Sequence, residues 1–152
     1  MKSAPYFHNF AASLLGLQVG HLWRGYGSAV FFELGRLTAQ TKRDGSVGEP
    51  VGEVTLGVEC SWRIEDRDSI VCGSWSEEEI WEPTFHRFRN STVLNLEVFG
   101  SLPEVEMSVS ASLRFLSFST TEGQPNWFLI DRRNEVQRTY YVEKGKIRVS
   151  AE

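Results

Sequence analysis

Between residues 54 and 64 the chain alternates without a fault. Val54, Leu56, Val58, Cys60, Trp62 and Ile64 are apolar, and Glu53, Thr55, Gly57, Glu59, Ser61, Arg63 and Glu65 between and beside them are polar or small. A period of two places every other side chain on one face of an extended strand. This run therefore requires an antiparallel strand with one face in a core and the other in water. Such a strand persists only within a sheet whose apolar face a second layer covers. The residues Asp66–Asp68 turn the chain and Ser69–Trp75 returns, so 53–75 reads as a hairpin.

The rest of the chain extends the same theme. Residues Tyr6–Leu15 predict a short helix: Pro5 suits its start, Phe7, Phe10, Leu14 and Leu15 form one stripe, and Gly16 supplies a stop. Leu17–Trp23 and Ala29–Leu34 read as strands around a turn at Gly25, Gly27 and Ser28, and 38–52 reads as a surface loop. Ser76 followed by Glu77, Glu78 and Glu79 predicts one helical turn, which Pro83 keeps from growing longer. Strands resume at Val93–Phe99 and Val105–Phe118, then at Asn126–Asp131, Arg138–Val142 and Lys146–Ser150, the last two forming a tight hairpin around Gly145. In the long strand Val105, Met107, Val109, Ala111, Leu113 and Phe115 share a face. The apolar phase slips at Leu116 and Phe118, which predicts a β-bulge or bend near Phe115–Leu116. The expected fold is mainly β (α+β): an antiparallel β-sandwich or half-open barrel of eight to nine strands with one short N-terminal helix, in a single β-rich domain spanning 1–152. Aromatic residues at 12% of the chain supply a dense core for it.

Composition narrows the function classes. No apolar run reaches the roughly 20 residues that cross a bilayer, and the N-terminal stretch lacks the pattern of a signal peptide, so a cytoplasmic protein away from membranes is expected. A net charge of −4 argues against nucleic acid as partner, because phosphate neutralisation needs a basic surface. The negative excess is local: residues 53–82 carry nine acids against Arg63 and Arg67. Read as one hairpin, the segment sets Glu53, Glu59 and Glu65 in a solvent-facing row with Asp66 and Asp68 at its end. Glu77, Glu78, Glu79 and Glu82 would fold back beside it. Such a face is either plain solvated surface or a landing site for a basic protein, with Trp81 as the aromatic anchor beside the acids.

Evidence for chemistry is thin. His8, His21 and His86 stand at no metal-ligand spacing to one another or to a cysteine, so neither a metal nor another cofactor is expected. Cys60 and Cys72 lie in strand-like runs and could face each other across the hairpin as reduced, buried thiols. Glu33 interrupts the apolar run AVFFELG, and a carboxylate there needs a partner or solvent; Arg24, Arg36 and Arg114 are the candidates for pairing. The neighbours Trp23-Arg24, Trp62-Arg63 and Trp127-Phe128 suit packing better than stacking on bases in so acidic a chain. No catalytic motif is present.

The segment GEVTLGVECSWRI, followed six residues later by IVCGS, is similar to a pattern in small uncharacterised bacterial proteins: a strand ending Cys-x-Trp-Arg-Ile, a turn, and a second strand ending Gly-Ser. Leu14-Leu15-Gly16, Gly25–Ser28, Leu94–Val98, Leu113–Phe118 and Asn126-Trp127-Phe128 resemble its other elements, so the likeness spans about residues 13–130. The chain departs from it at SWSEEEIWEP and after residue 130. Such proteins are often suspected of being immunity proteins encoded near toxins. The resemblance thus implies an immunity protein that neutralises a cognate toxin; together with the lack of a catalytic motif and the acidic stretch, the expected function is a non-catalytic protein-binding module, with Glu59, Glu65, Asp66, Asp68, Glu77, Glu78, Glu79, Trp81 and Glu82 of that stretch as the expected contact residues. The alternative is a barrel or sandwich that holds a small apolar ligand among Phe31, Phe32, Trp62, Phe99, Phe115 and Trp127.

Overall fold

The computed structural model describes residues 5–123 and 126–151. Its elements in chain order are α1 (Pro5–Ala12), β1 (Val19–Arg24), β2 (Val30–Leu34), β3 (Val54–Val58), β4 (Ser61–Glu65), β5 (Ile70–Gly73), α2 (Glu78–Phe88), β6 (Val93–Phe99), β7 (Glu104–Val109), β8 (Leu113–Phe118), β9 (Trp127–Asp131), β10 (Arg138–Glu143) and β11 (Lys146–Ala151). The strands form two antiparallel sheets, one in the order β1-β2-β3-β9-β10-β11 and the other β5-β4-β8-β7-β6. This is a β-sandwich rather than a closed barrel.

The perfect alternation of residues 54–64 belongs to two strands. β3 lies between β2 and β9 in the first sheet, and β4 lies between β5 and β8 in the second. The chain changes sheets at Glu59–Cys60 without losing parity, since both strands turn the same set of residues toward the shared core. Val54, Leu56, Val58, Cys60, Trp62 and Ile64 are all buried, and Glu59 is exposed. Only the β4–β5 half of the expected hairpin pairs with itself. Thr55, expected at the surface, is buried on the outer face by a polar network described below.

A second long run also splits. Residues 105–118 form the hairpin β7–β8, turning through Ser110–Ser112 with Ser112 at φ 59°. Ala111 continues the apolar parity through a turn that carries no Gly or Pro, which hides the break. No bulge occurs at Phe115–Leu116: β8 keeps an unbroken register with both β4 and β7, so Leu116 and Phe118 lie on the outer face. These two splits raise the expected nine strands to eleven.

The helices close the open sides of the sandwich. On α1, Phe7 and Phe10 pack on Tyr140, the Phe10 and Tyr140 rings stacked at 4.0 Å. Helix α2 runs for 11 residues through Pro83, longer than one turn. The amide that Pro83 lacks would have met the carbonyl of Glu79, and both residues are exposed, so water can serve that carbonyl. Burial of Trp81, Thr84, Phe85 and Phe88 along one face outweighs the loss. At one end the start of β1 is laced to the start of β6, with the Val93 amide donating to Leu17 O and the Val19 amide to Ser91 O, both at 2.8 Å.

Trp62 and Trp127 are the largest buried side chains, and each indole N–H is satisfied: Trp62 donates to Ser28 O at 2.7 Å and Trp127 to Pro103 O at 3.1 Å. Replacing Trp62 with Ala should lower unfolding stability by about 3–5 kcal/mol, read from denaturant midpoints, because it leaves a large cavity and an orphaned carbonyl. Cys72 pairs in register with Ile64 rather than facing Cys60, and both thiols are free and buried. Burial pushes the Cys60 thiol up to about 11 and raises Cys72 as well. Neither cysteine should react with a thiol reagent within minutes at neutral pH until denaturant is added.

Candidate functional site

Three connections meet at one end of the sandwich: the β1–β2 turn, the β3–β4 crossover at Glu59–Cys60, and the link from β5 into α2. Trp62 ties them together. Its indole N–H reaches Ser28 O in the first, its amide donates to Ser74 Oγ at 3.2 Å, and its carbonyl accepts from the Ser74 amide at 3.0 Å. Arg24 spans the same elements. Its guanidinium lies 4.3 Å from the Trp81 ring centroid, bonds Glu78 at 2.8 Å, and its Nε donates to Gly27 O at 2.8 Å.

Two aromatic residues project from this end. Tyr26 is 99% exposed in a turn whose Gly27 takes φ 65°. Trp75 is 88% exposed in a turn closed when the Ser76 amide donates to Gly73 O and the Gly73 amide to Ser76 Oγ. Around them stand Glu59, Glu77 and Glu79, exposed, with no paired base among the described residues.

The nine expected contact residues do not form one row. Breaking the alternating run at Glu59–Cys60 puts Glu53 and Glu65 in different sheets. Glu65 is held between Arg63 at 2.7 Å and Arg114 at 3.1 Å, and Arg114 reaches on to Glu106. Asp66 and Asp68 lie at the far end of β4, about 16 Å away at the usual rise per strand residue. Glu78 is paired with Arg24 and Glu82 with Arg89. Trp81, the expected anchor, is only 5% exposed: it packs edge-on to Trp62 at 5.0 Å and under Arg24. What gathers at the site is Glu59, Glu77, Glu78 and Glu79, with Tyr26 and Trp75 in place of Trp81. Both aromatics carried a readable signal, since each sits among Gly and Ser in a turn where no core can reach it.

The outer face of the first sheet continues the site. Trp23 stacks on Phe31 at 4.4 Å, and Phe31 approaches Phe128 at 6.3 Å. These rings lie against bare backbone: a Cβ on Gly25 would stand 2.5 Å from the Phe31 ring, and one on Gly57 would collide with Phe128. Beneath the row Glu33 is 1% exposed and bonded at both oxygens. Trp23 Nε1 donates to it at 2.9 Å, the Gly52 amide at 3.0 Å and Thr55 Oγ1 at 2.5 Å. None of Arg24, Arg36 or Arg114 pairs with it. Arg132 joins through Thr55 Oγ1 at 2.7 Å and Gly52 O at 3.2 Å, completing the cover over Thr55. Among the described residues no cluster of His, Cys, Asp and Glu could hold a metal ion, and no helix is long and apolar enough to cross a membrane. Comparison with protein families, with curated proteins and with solved structures found no match.

Asp66 caps its own turn. Its carboxylate accepts from the amides of Asp68 at 2.9 Å and Ser69 at 2.8 Å, and these bonds hold its pKa below the ordinary 3.8. A carboxylate lowered on folding stabilises above its unfolded pKa and loses that contribution as pH falls through its folded value. Asp66→Ala should therefore lower the denaturation midpoint at pH 7, and the gap to wild type should close well below pH 3.8.

Proposed function

We propose that this chain is a non-catalytic protein-binding module that receives a basic partner at the Tyr26–Trp75 end, most specifically as an immunity-type protein neutralising a cognate bacterial toxin. The observation that carries the reading is the pair of almost fully exposed aromatics, Tyr26 and Trp75, set beside the unpaired carboxylates Glu59, Glu77 and Glu79. Trp and Tyr are the residues that most often dominate binding energy, and exposed like charge around them steers a partner of opposite sign. The resemblance of the β3–β5 segment to small bacterial proteins suspected of immunity supports the toxin as partner. Glu65, Glu82 and Asp66 stand outside the proposed contact because their charges are engaged locally.

The experiment is capture of the partner from the chain's own cells, followed by kinetics with the purified pair. Trp75→Ala should weaken binding at least tenfold, mainly through faster dissociation. Replacing Glu59, Glu77 and Glu79 together by Gln should slow association and flatten its salt dependence. A partner indifferent to both changes overturns the reading. A captured partner that is harmless when expressed alone overturns the immunity form of it.

Of the residues expected around a ligand in the apolar-ligand alternative, Phe32, Trp62, Phe115 and Trp127 are buried in the core and Phe99 is exposed. One observation keeps that alternative in view: an open groove of about 730 Å³ between α1 and β6, lined by Phe7, Ala11, Leu15, Leu96 and Val98. Native mass spectrometry of the purified chain showing a retained small molecule would favour that reading.

A further inference from the structure

Beside the exposed turn the outer face of the first sheet is hollowed into a cleft of about 460 Å³, walled by Trp23, Tyr26 and Phe31, floored by Ser28 and Ala29, and bordered by Glu59. Its walls are aromatic and its one charge is negative. Glu59 has no partner among the described residues. An apolar guest would cover that carboxylate without pairing it, at a cost in solvation. A cation resolves both requirements, since the face of an aromatic ring attracts positive charge and the carboxylate completes the pair. Nor does a resident cation compete. Arg24, next to Trp23, turns to the other side of β1, where Trp81, Glu78 and Gly27 hold it.

The Trp23 and Phe31 walls are set in advance. The buried Glu33 carboxylate takes the Trp23 indole N–H at 2.9 Å and is itself held by Gly52 and Thr55, so the indole plane is fixed. Gly25 lets the Phe31 ring lie against the backbone, where any side chain would displace it. Trp23 then stacks on Phe31 with an interplanar angle of 21°. Two stacked rings beside a carboxylate suit a flat cation with several donors better than a compact ammonium, which is the difference between arginine and lysine.

We propose that this cleft is the slot for one arginine side chain of the partner, its guanidinium lying on the Trp23–Phe31–Tyr26 walls and pairing with Glu59, with Glu33 as the positioning residue for Trp23. The proposal rests on the protein-binding reading above and names the group that reading leaves open.

The test uses three short peptides, acetyl-Gly-Arg-Gly-amide and its citrulline and lysine counterparts, titrated into the whole chain while the Trp23 indole and the 25–31 amides are followed by NMR. The arginine peptide should shift these signals saturably, and the uncharged citrulline peptide should not. The lysine peptide should bind several-fold more weakly. Glu59→Gln and Tyr26→Ala, both at exposed positions, should each weaken arginine binding at least fivefold with the unfolding midpoint unchanged. Glu33→Gln should move the Trp23 indole signal before any peptide is added. Equal binding of citrulline, equal binding of lysine, or shifts confined to another region would each overturn the slot. A partner that loses affinity on Trp75→Ala yet ignores Glu59→Gln and Tyr26→Ala would overturn the slot and leave the protein-binding reading intact. Arginine-peptide binding in a chain with no basic protein partner would do the reverse.

Discussion

The buried indole of Trp62 is the contact on which both the core and the exposed end depend. On one side its ring meets Trp81 and Phe85 of α2 and Phe115 of β8, joining the helix to the second sheet. On the other its N–H bonds Ser28 in the β1–β2 turn, which belongs to the first sheet. A large aromatic with one polar edge can do both, filling volume in the core while that edge reaches a carbonyl at the boundary. The turns that carry Tyr26 and Trp75 are thereby fastened to the interior, with Arg24 and the Trp81 indole N–H adding bonds to Gly27 O and Ser76 O. Their side chains are left outside, because the connections are too short to fold back over the core.

A second anchoring point acts on the outer face. Burying a carboxylate is expensive unless each oxygen finds donors, and Glu33 finds three. Two of these donors, Gly52 and Thr55, only hold it in place, whereas the third is the Trp23 indole. The carboxylate thus converts local polar satisfaction into a fixed orientation for an aromatic at the surface. The glycines under Phe31 and Phe128 do the same by subtraction, since the rings settle where no side chain stands. A surface stripe held this firmly loses little further freedom on meeting a partner, which favours binding.

The charge pattern shows how much a fold can rearrange a linear cluster. Nine acids within 30 residues suggest one negative face. In space the crossover, the β4–β5 turn and α2 distribute them to two ends, and Arg24, Arg63, Arg89 and Arg114 neutralise Glu65, Glu78 and Glu82. Of the acids that keep no paired base, Glu59, Glu77 and Glu79 stand with the exposed aromatics, while Asp66 and Asp68 stand at the other end of β4. Arg63 and Arg89 are near their partners in the chain, but Arg24 and Arg114 come from about 50 residues away, and their part in the outcome no window of the sequence contains.

Alternation and local signals by themselves determined the class of the fold, the strands at 93–99, 127–131, 138–143 and 146–151, and the burial of Val54, Leu56, Val58, Cys60, Trp62 and Ile64. These follow from side-chain periodicity and from each residue's own transfer energy, which act over a few neighbours. Tertiary structure alone decided that the runs 54–64 and 105–118 are each two strands, because parity is preserved whether an alternating chain stays in its sheet or crosses to the facing one. It also decided the length of α2, where burial of four side chains overrides Pro83. The exchange of Trp81 for Trp75 as the exposed indole arose in the same way: two tryptophans six residues apart have equal hydrophobicity, and only the packing of α2 against Trp62 selects which one is covered.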